Sequence, residues 1–178
     1  MDYEIVFESD RINFVKLSPK LVHDYLGMVN DIEVQKFISH KRKTYSLDGE
    51  LEWIKSKLEE NAIIFSMIEK KTNEFIGNIE IIKINNNIGE IGIAITPKKQ
   101  DNHFGQEAIK RLIEYAFNEL NLEGLELNVY DFNPRGIKCY EKVGFVIDGQ
   151  GKTKEDIHML LKRWNIFILF CNLFELRR

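Results

Sequence analysis

The sequence predicts an α+β domain with a mixed, mostly antiparallel central sheet flanked by helices. Three observations carry that prediction. From Ser18 to Asn61 the apolar residues recur at helical spacing, and from Ala62 to Thr96 they alternate with a period of two. After that, helix-like and strand-like runs take turns to about residue 163, with no repeat, linker or low-complexity segment.

The elements follow in order. "RINFVKL" places Ile12, Phe14 and Leu17 on a first strand. "SPKLVHDYLGMVND" reads as a helix with Ser18 as N-cap and Pro19 at the first helical position; Leu21, Val22, Tyr25, Leu26 and Val29 fall on its buried face. A short helix carries Val34, Phe37 and Ile38, and "SLDGELEWIKSKLEEN" carries Leu51, Ile54 and Leu58 on one face. "AIIFSMIEK", "FIGNIEIIKI" and "IGEIGIAIT" are strands of an antiparallel meander, joined by the turn-forming stretches "KTNE" and "NNN". A long amphipathic helix over about residues 105–120 carries Ile109, Leu112, Ile113, Ala116, Phe117 and Leu120 on one stripe. The strand "GLELNVY", the helix "PRGIKCYEKV", the strand "GFVIDG" and a last strand in "IHMLLKR" complete the domain.

Composition narrows the function. The chain has 178 residues, enough for one domain that buries roughly two-thirds of its unfolded surface. A net charge of −3 argues against a general nucleic-acid binder, whose phosphate contacts demand a surplus of Lys and Arg. Cys139 and Cys171 are too few for a disulfide framework, and the N-terminus is charged from Asp2 without an apolar run, so the expectation is a cytoplasmic protein. His23, His40, His103 and His158 show no metal-ligand spacing, and no metal is expected. The domain is expected to span residues 1–163. The apolar tail, 164–178, is shorter than the about 20 residues that cross a bilayer as a helix, so no membrane partner is expected. A homodimer through this tail is.

The stretch "TPKKQDNHFGQEAIKRL", beginning at Thr96, runs from a strand end through a polar loop into the long helix. A helix start offers unpaired N–H groups and a partial positive charge to an anion, and Lys98 and Lys99 lie just upstream. Further on, Asn133 is an N-cap, Pro134 takes the first helical position and Gly144 closes the helix. Together the two segments resemble the GNAT superfamily of N-acetyltransferases, most of all the bacterial enzymes acting on ribosomal-protein N-termini and on spermidine. The family's glutamine-x-x-glycine-x-glycine loop is matched by Gln100-Asp101-Asn102-His103-Phe104-Gly105, followed by Glu107-Ala108. Its asparagine-to-tyrosine segment is matched by residues 133–145, "NPRGIKCYEKVGF". The departure is His103, which stands where the family has its first loop glycine. A positive φ at that position is harder for histidine than for glycine.

The resemblance implies a GNAT fold, acetyl-coenzyme A as cosubstrate, and acetyl transfer to a primary amine or a protein N-terminus by direct attack in a ternary complex. It implies cofactor contacts by residues 100–106, including Gln106, by the backbone of Ile93, Ala94 and Ile95, and by Asn133 and Lys142. Tyr140 matches the family's general acid, since a phenol is protonated at neutral pH. For the base, Glu90 is the first candidate: with period two it shares a face with Gly92 and Ala94, which leave room for a substrate. Glu80 competes with it. Glu80 and Glu33 are the candidates for attracting the acceptor's ammonium group. Cys139 reads as a packing residue. A second function class stays open, a catalytically weak module that binds or senses acetyl-coenzyme A.

Overall fold

The computed structural model describes residues 3–39 and 41–164. The strands are β1 (Ile5–Glu8), β2 (Ile12–Lys16), β3 (Ile63–Glu69), β4 (Phe75–Asn85), β5 (Ile88–Ile95), β6 (Gly124–Tyr130), β7 (Val146–Gln150) and β8 (Asp156–Lys162). The helices are α1 (Val22–Asn30), α2 (Ile32–Ile38), α3 (Leu47–Glu59), α4 (Phe104–Asn118) and α5 (Pro134–Lys142). The strands form one sheet in the order β1-β2-β3-β4-β5-β6-β8-β7. The chain divides into two compact units, Met1–Ile82 with Gly92–Arg111, and Lys83–Ile91 with Leu112–Arg178.

In the first unit β1 to β4 are antiparallel neighbours, with Phe7 opposite Phe14, Phe14 opposite Met67, and Phe65 opposite Ile79. Val15, Leu17, Leu21, Tyr25, Met28, Val34, Ile54, Ile64 and Phe75 form a shared core between helices and strands. The buried Tyr25 hydroxyl meets the buried Ser66 Oγ at 2.6 Å and accepts from the Ser18 amide at 3.2 Å, so both hydroxyls are satisfied. Gly77 is required by close approach: a Cβ there would lie 2.0 Å from the Ala94 carbonyl oxygen.

Two helical readings need correction. Ser18 and Pro19 do open a helix, but as a 3-10 turn over Pro19–Leu21, with α1 beginning at Val22. Such a tighter turn is common at helix starts. In α3, capped by Ser46, only Ile54 of the expected stripe is buried; Leu51 and Leu58 are 38% and 43% exposed. The face that packs runs instead through Glu50, Trp53 and Ile54, so the helix is turned away from Leu51 and Leu58.

In the second unit Asn86 and Asn87, at φ 49° and 60°, make the two-residue turn that leads into β5. β5 runs parallel to β6 from Ile88↔Gly124 to Glu90↔Glu126. β6 then pairs antiparallel with β8, Leu127 opposite Met159. β7 pairs with the other side of β8, so the last strand in sequence lies inside and β7 lies at the edge. Residue chemistry explains the exchange: Met159 and Leu161 of β8 are fully buried, whereas Val146 and Ile147 of β7 are more than half exposed. α4 passes from one unit into the other and buries Ala108, Ile109, Leu112, Ile113, Ala116 and Phe117. Of the apolar tail, Trp164 is 59% exposed; the rest of it lies outside the described residues, as does His40.

Candidate active site

The first unit holds the loop. After β5 the chain makes a short turn, Pro97–Lys99, and then residues 100–103 lead into α4. Gln100 Nε2 donates to the Ile95 carbonyl at 2.8 Å, and Asn102 Nδ2 donates to the Gln100 carbonyl at 2.8 Å. These bonds hold the loop against the strand end. Asp101 and His103 both have left-handed backbones, φ 59° and 64°. Alternating hand along such a loop turns successive N–H groups toward one side, an arrangement that suits an anion. His103 therefore does occupy a position where glycine is conformationally easier. Its Nδ1 lies 3.5 Å from Gln106 Nε2. Phe104 is buried beneath the loop, and Gly105 and Gln106 are partly buried.

Lys99 does not reach for an anion as expected. Its Nζ is 2.6 Å from Glu69 and 2.5 Å from Glu74, and only 15% of the side chain is exposed. It pins the turn instead, while Lys98 remains exposed.

The same unit places Glu80 on β4, opposite Ile64 of β3. Gly92 of β5 leaves space beside it: a Cβ on Gly92 would lie 3.2 Å from Glu80 Oε1. Burial pushes the Glu80 carboxyl above the usual range, only partly offset by Lys57. Among the described residues it has no ion pair or hydrogen bond. Two residues before it, on the same face, the buried Asn78 Oδ1 also lacks a partner. Glu33 is different, exposed on α2 and paired with Lys36.

The second unit holds Tyr140, Asn133, Lys142 and Glu90. Asn133 Oδ1 accepts from the Gly136 amide at 2.9 Å and caps α5. A side chain at position 136 would press within 2.6 Å of Asn133 Nδ2, so the cap needs Gly136. Tyr140 sits on the last turn of α5 with its ring edge-on to Phe145 at 6.1 Å. Part of its surface stays open, yet burial, with a smaller contribution from Cys139, pushes the phenol far above its ordinary value. It is a protonated donor, and among the described residues its hydroxyl has no hydrogen-bond partner. Lys142 is exposed at the helix end. The Cys139 thiol is likewise pushed up by burial, which makes it a poor nucleophile.

Glu90 is buried, with 4% of its side chain exposed. Oε1 accepts from Lys152 and, at 3.3 Å, from Asn128 Nδ2; Oε2 lies 3.2 Å from Lys83 Nζ, close enough for an ion pair although off-line for a hydrogen bond. Burial alone would raise its pKa, but the two lysines outweigh it and hold the carboxyl below the usual range. Glu90 is a fixed anion.

Three side chains of the site's surroundings escaped the sequence reading. Arg11 and Ser9 make contacts across 91 to 98 positions of chain, and Asn78 stands out only by a buried Oδ1 without a hydrogen-bond partner. No local pattern marks them. Among the described residues no cluster of three His, Cys, Asp or Glu side chains could hold a metal, and no helix is long and apolar enough to cross a membrane.

Comparison with known proteins supplies the family. The acetyltransferase (GNAT) domain model matches residues 11–146. The spermidine N(1)-acetyltransferase of Vibrio cholerae is 34% identical over 108 residues, 59% of this chain and 62% of that enzyme. The uncharacterized N-acetyltransferase YokL of Bacillus subtilis is 30% identical over 101 residues, 56% of each chain. These matches thus span under two-thirds of the relatives' own lengths. A crystal structure of the Vibrio cholerae spermidine N-acetyltransferase with CoA and spermine superposes with a TM-score of 0.79 at 23% identity, covering 88% of this chain and 98% of that one. With the family model covering the loop, strands β2 to β6 and α5, the chain belongs to the GNAT acetyltransferase family.

Proposed function

We propose that the protein transfers an acetyl group from acetyl-coenzyme A to a primary amine, by direct attack in a ternary complex. The observation that supports this most is the left-handed loop at the start of α4, within the stretch matched by the GNAT model. In this reading residues 100–106 receive the cofactor's pyrophosphate on backbone N–H groups. The backbone of Ile93, Ala94 and Ile95 aligns the pantetheine arm, and Asn133 and Lys142 contact the cofactor from α5.

The amine nitrogen attacks the thioester carbonyl carbon, the carbon–sulfur bond breaks, and the sulfur leaves as thiolate. Tyr140 gives that thiolate its proton, which its raised pKa keeps available. The amine must lose a proton to be a nucleophile. We place Glu80 ahead of Glu90 as its acceptor, because a desolvated, unpaired carboxyl takes up a proton more readily than one held by two lysines. Asn78 lies beside Glu80 and supplies a further polar contact for the amine. The similarity to spermidine acetyltransferases makes a polyamine the first acceptor to try, ahead of protein N-termini; Glu33 on the exposed surface of α2 suits a second ammonium group of such a substrate. The His103 backbone, left-handed without glycine, favours the weak binding module as the second reading.

Titration calorimetry with acetyl-coenzyme A, followed by thiol release over an amine panel containing spermidine, tests the proposal. Saturable binding and amine-dependent thiol release are expected. Tyr140→Phe should then lose about 10²-fold or more in turnover while still binding cofactor. Turnover unchanged in that variant removes Tyr140 as the acid, and binding without thiol release on any amine selects the binding module.

A further inference from the structure

Resting on the cofactor reading above, we infer that Arg11 is a positioning residue for acetyl-coenzyme A: its guanidinium cancels the Glu107 carboxylate in the first turn of α4 and ties that turn to the loop, leaving the positive field at the helix start free for the pyrophosphate.

Glu107 poses the problem. It lies in the first turn of α4, where a carboxylate is favourable for the helix but competes with any second anion for the same field. Only 18% of its side chain is exposed. Burial would raise its pKa, yet bonds from Arg11 and Ser9 outweigh that and keep it below the usual range, so it stays ionised.

Arg11 answers it from a distant part of the chain. Glu107 Oε1 accepts from the Arg11 amide and from Ser9 Oγ, each at 2.8 Å, and Oε2 accepts from Arg11 Nε at 2.7 Å. The other branch of the guanidinium, Nη1, donates to the Asn102 carbonyl at 3.1 Å. The guanidinium carbon also lies 4.5 Å over the Phe104 ring. One planar cation thus binds the loop on both sides of His103 and Phe104. It draws the Asn102 carbonyl oxygen and both Glu107 oxygens toward β2, which turns negative charge away from an anion on the loop.

The test is a double-variant cycle read by titration calorimetry with acetyl-coenzyme A, at low and at high salt, with thermal unfolding of each variant alongside. Arg11→Ala should weaken binding about ten-fold at low salt, with the difference shrinking as salt screens the carboxylate that the variant uncovers. Glu107→Gln alone should bind within about three-fold of wild type, and the double variant should recover most of the loss, because a neutral amide in place of the carboxylate repels nothing. If Arg11→Ala does not fold, the neutral Arg11→Gln takes its place, and the comparison of Glu107→Gln with the double variant stands. A double variant no better than Arg11→Ala, or a loss indifferent to salt, would overturn the charge argument and leave a bond that only stabilises the fold. Wild type binding while Arg11→Ala binds equally well defeats this inference alone; wild type not binding defeats the cofactor reading and the inference with it.

Discussion

Glu80 on β4 and Glu90 on β5 are the same residue type on neighbouring stretches of chain, but their surroundings push them in opposite directions. In the first unit Glu80 is partly buried against Gly92 without a bonded cation, and its pKa rises. In the second unit Glu90 is buried with Lys83 and Lys152 on it, and its pKa falls. Burial is common to both. The presence of a bonded cation decides the sign, and with it which carboxyl can exchange a proton with a substrate.

The largest effect expected from this contrast is on turnover. Glu80→Gln should reduce amine acetylation by about 10²-fold or more, with rate rising with pH through the raised Glu80 pKa in the wild type and that limb missing in the variant. Glu90→Gln should cost less than about five-fold on the same assay, since an ion-paired carboxylate contributes field rather than proton transfer. The reverse ranking would make Glu90 the base, its lysines displaced when substrate enters.

Stability sharpens the same comparison with a smaller effect. Glu90 has a lowered folded pKa, so its contribution is present above the ordinary carboxylate value and is lost as pH falls through the lowered one. Glu80 has a raised folded pKa, so its contribution is complete below the ordinary value and is lost as pH rises through the raised one. Near neutral pH, Glu90→Gln should therefore be destabilised, by about 1 kcal/mol because both lysines are largely exposed and return to water. Glu80→Gln should be more stable than wild type under the same conditions. Urea unfolding from acid to neutral pH should show the two differences closing as pH falls; shifts of the same sign in both variants would contradict the assignment.

The smallest effect expected is at His103. Replacing a left-handed histidine with glycine should raise stability by about 0.5–1 kcal/mol, the strain relieved less the extra freedom of the unfolded chain. Acetyl-coenzyme A affinity should change by less than about three-fold, because the proposed donors are backbone groups. A loss of stability would mean that the contact between His103 and Gln106 outweighs the strain.

Much of this molecule was legible in its sequence wherever the information was local. The α5 cap was, because Asn133 and Pro134 act within one turn of helix. The two-residue turn at Asn86 and Asn87 and the left-handed demand on His103 are of the same kind. The sequence also supplied Glu80 and Glu90 as strand carboxylates, yet period two could rank them only by their small neighbours. Their charge states depend on Lys57, Lys83 and Lys152, which reach them from 23, 7 and 62 positions away. The position of β8 between β6 and β7 was hidden for a related reason. Val146 and Ile147 of β7 are as apolar as Met159 and Leu161 of β8, and which pair is buried is settled by which strand lies beside β6.

Residue order by itself determined the α+β class, the run of strands and helices, the turns and caps, and the membership of a family through two short segments. Those features rest on backbone preferences and side-chain periods that act over a few residues. Only the tertiary structure decided that Lys99 is spent on Glu69 and Glu74, that Arg11 meets Glu107, and that one carboxylate is bound by lysines while another is left without a bonded partner. Electrostatic partnership is set by distance in space, and burial sets its strength; neither quantity is written along the chain.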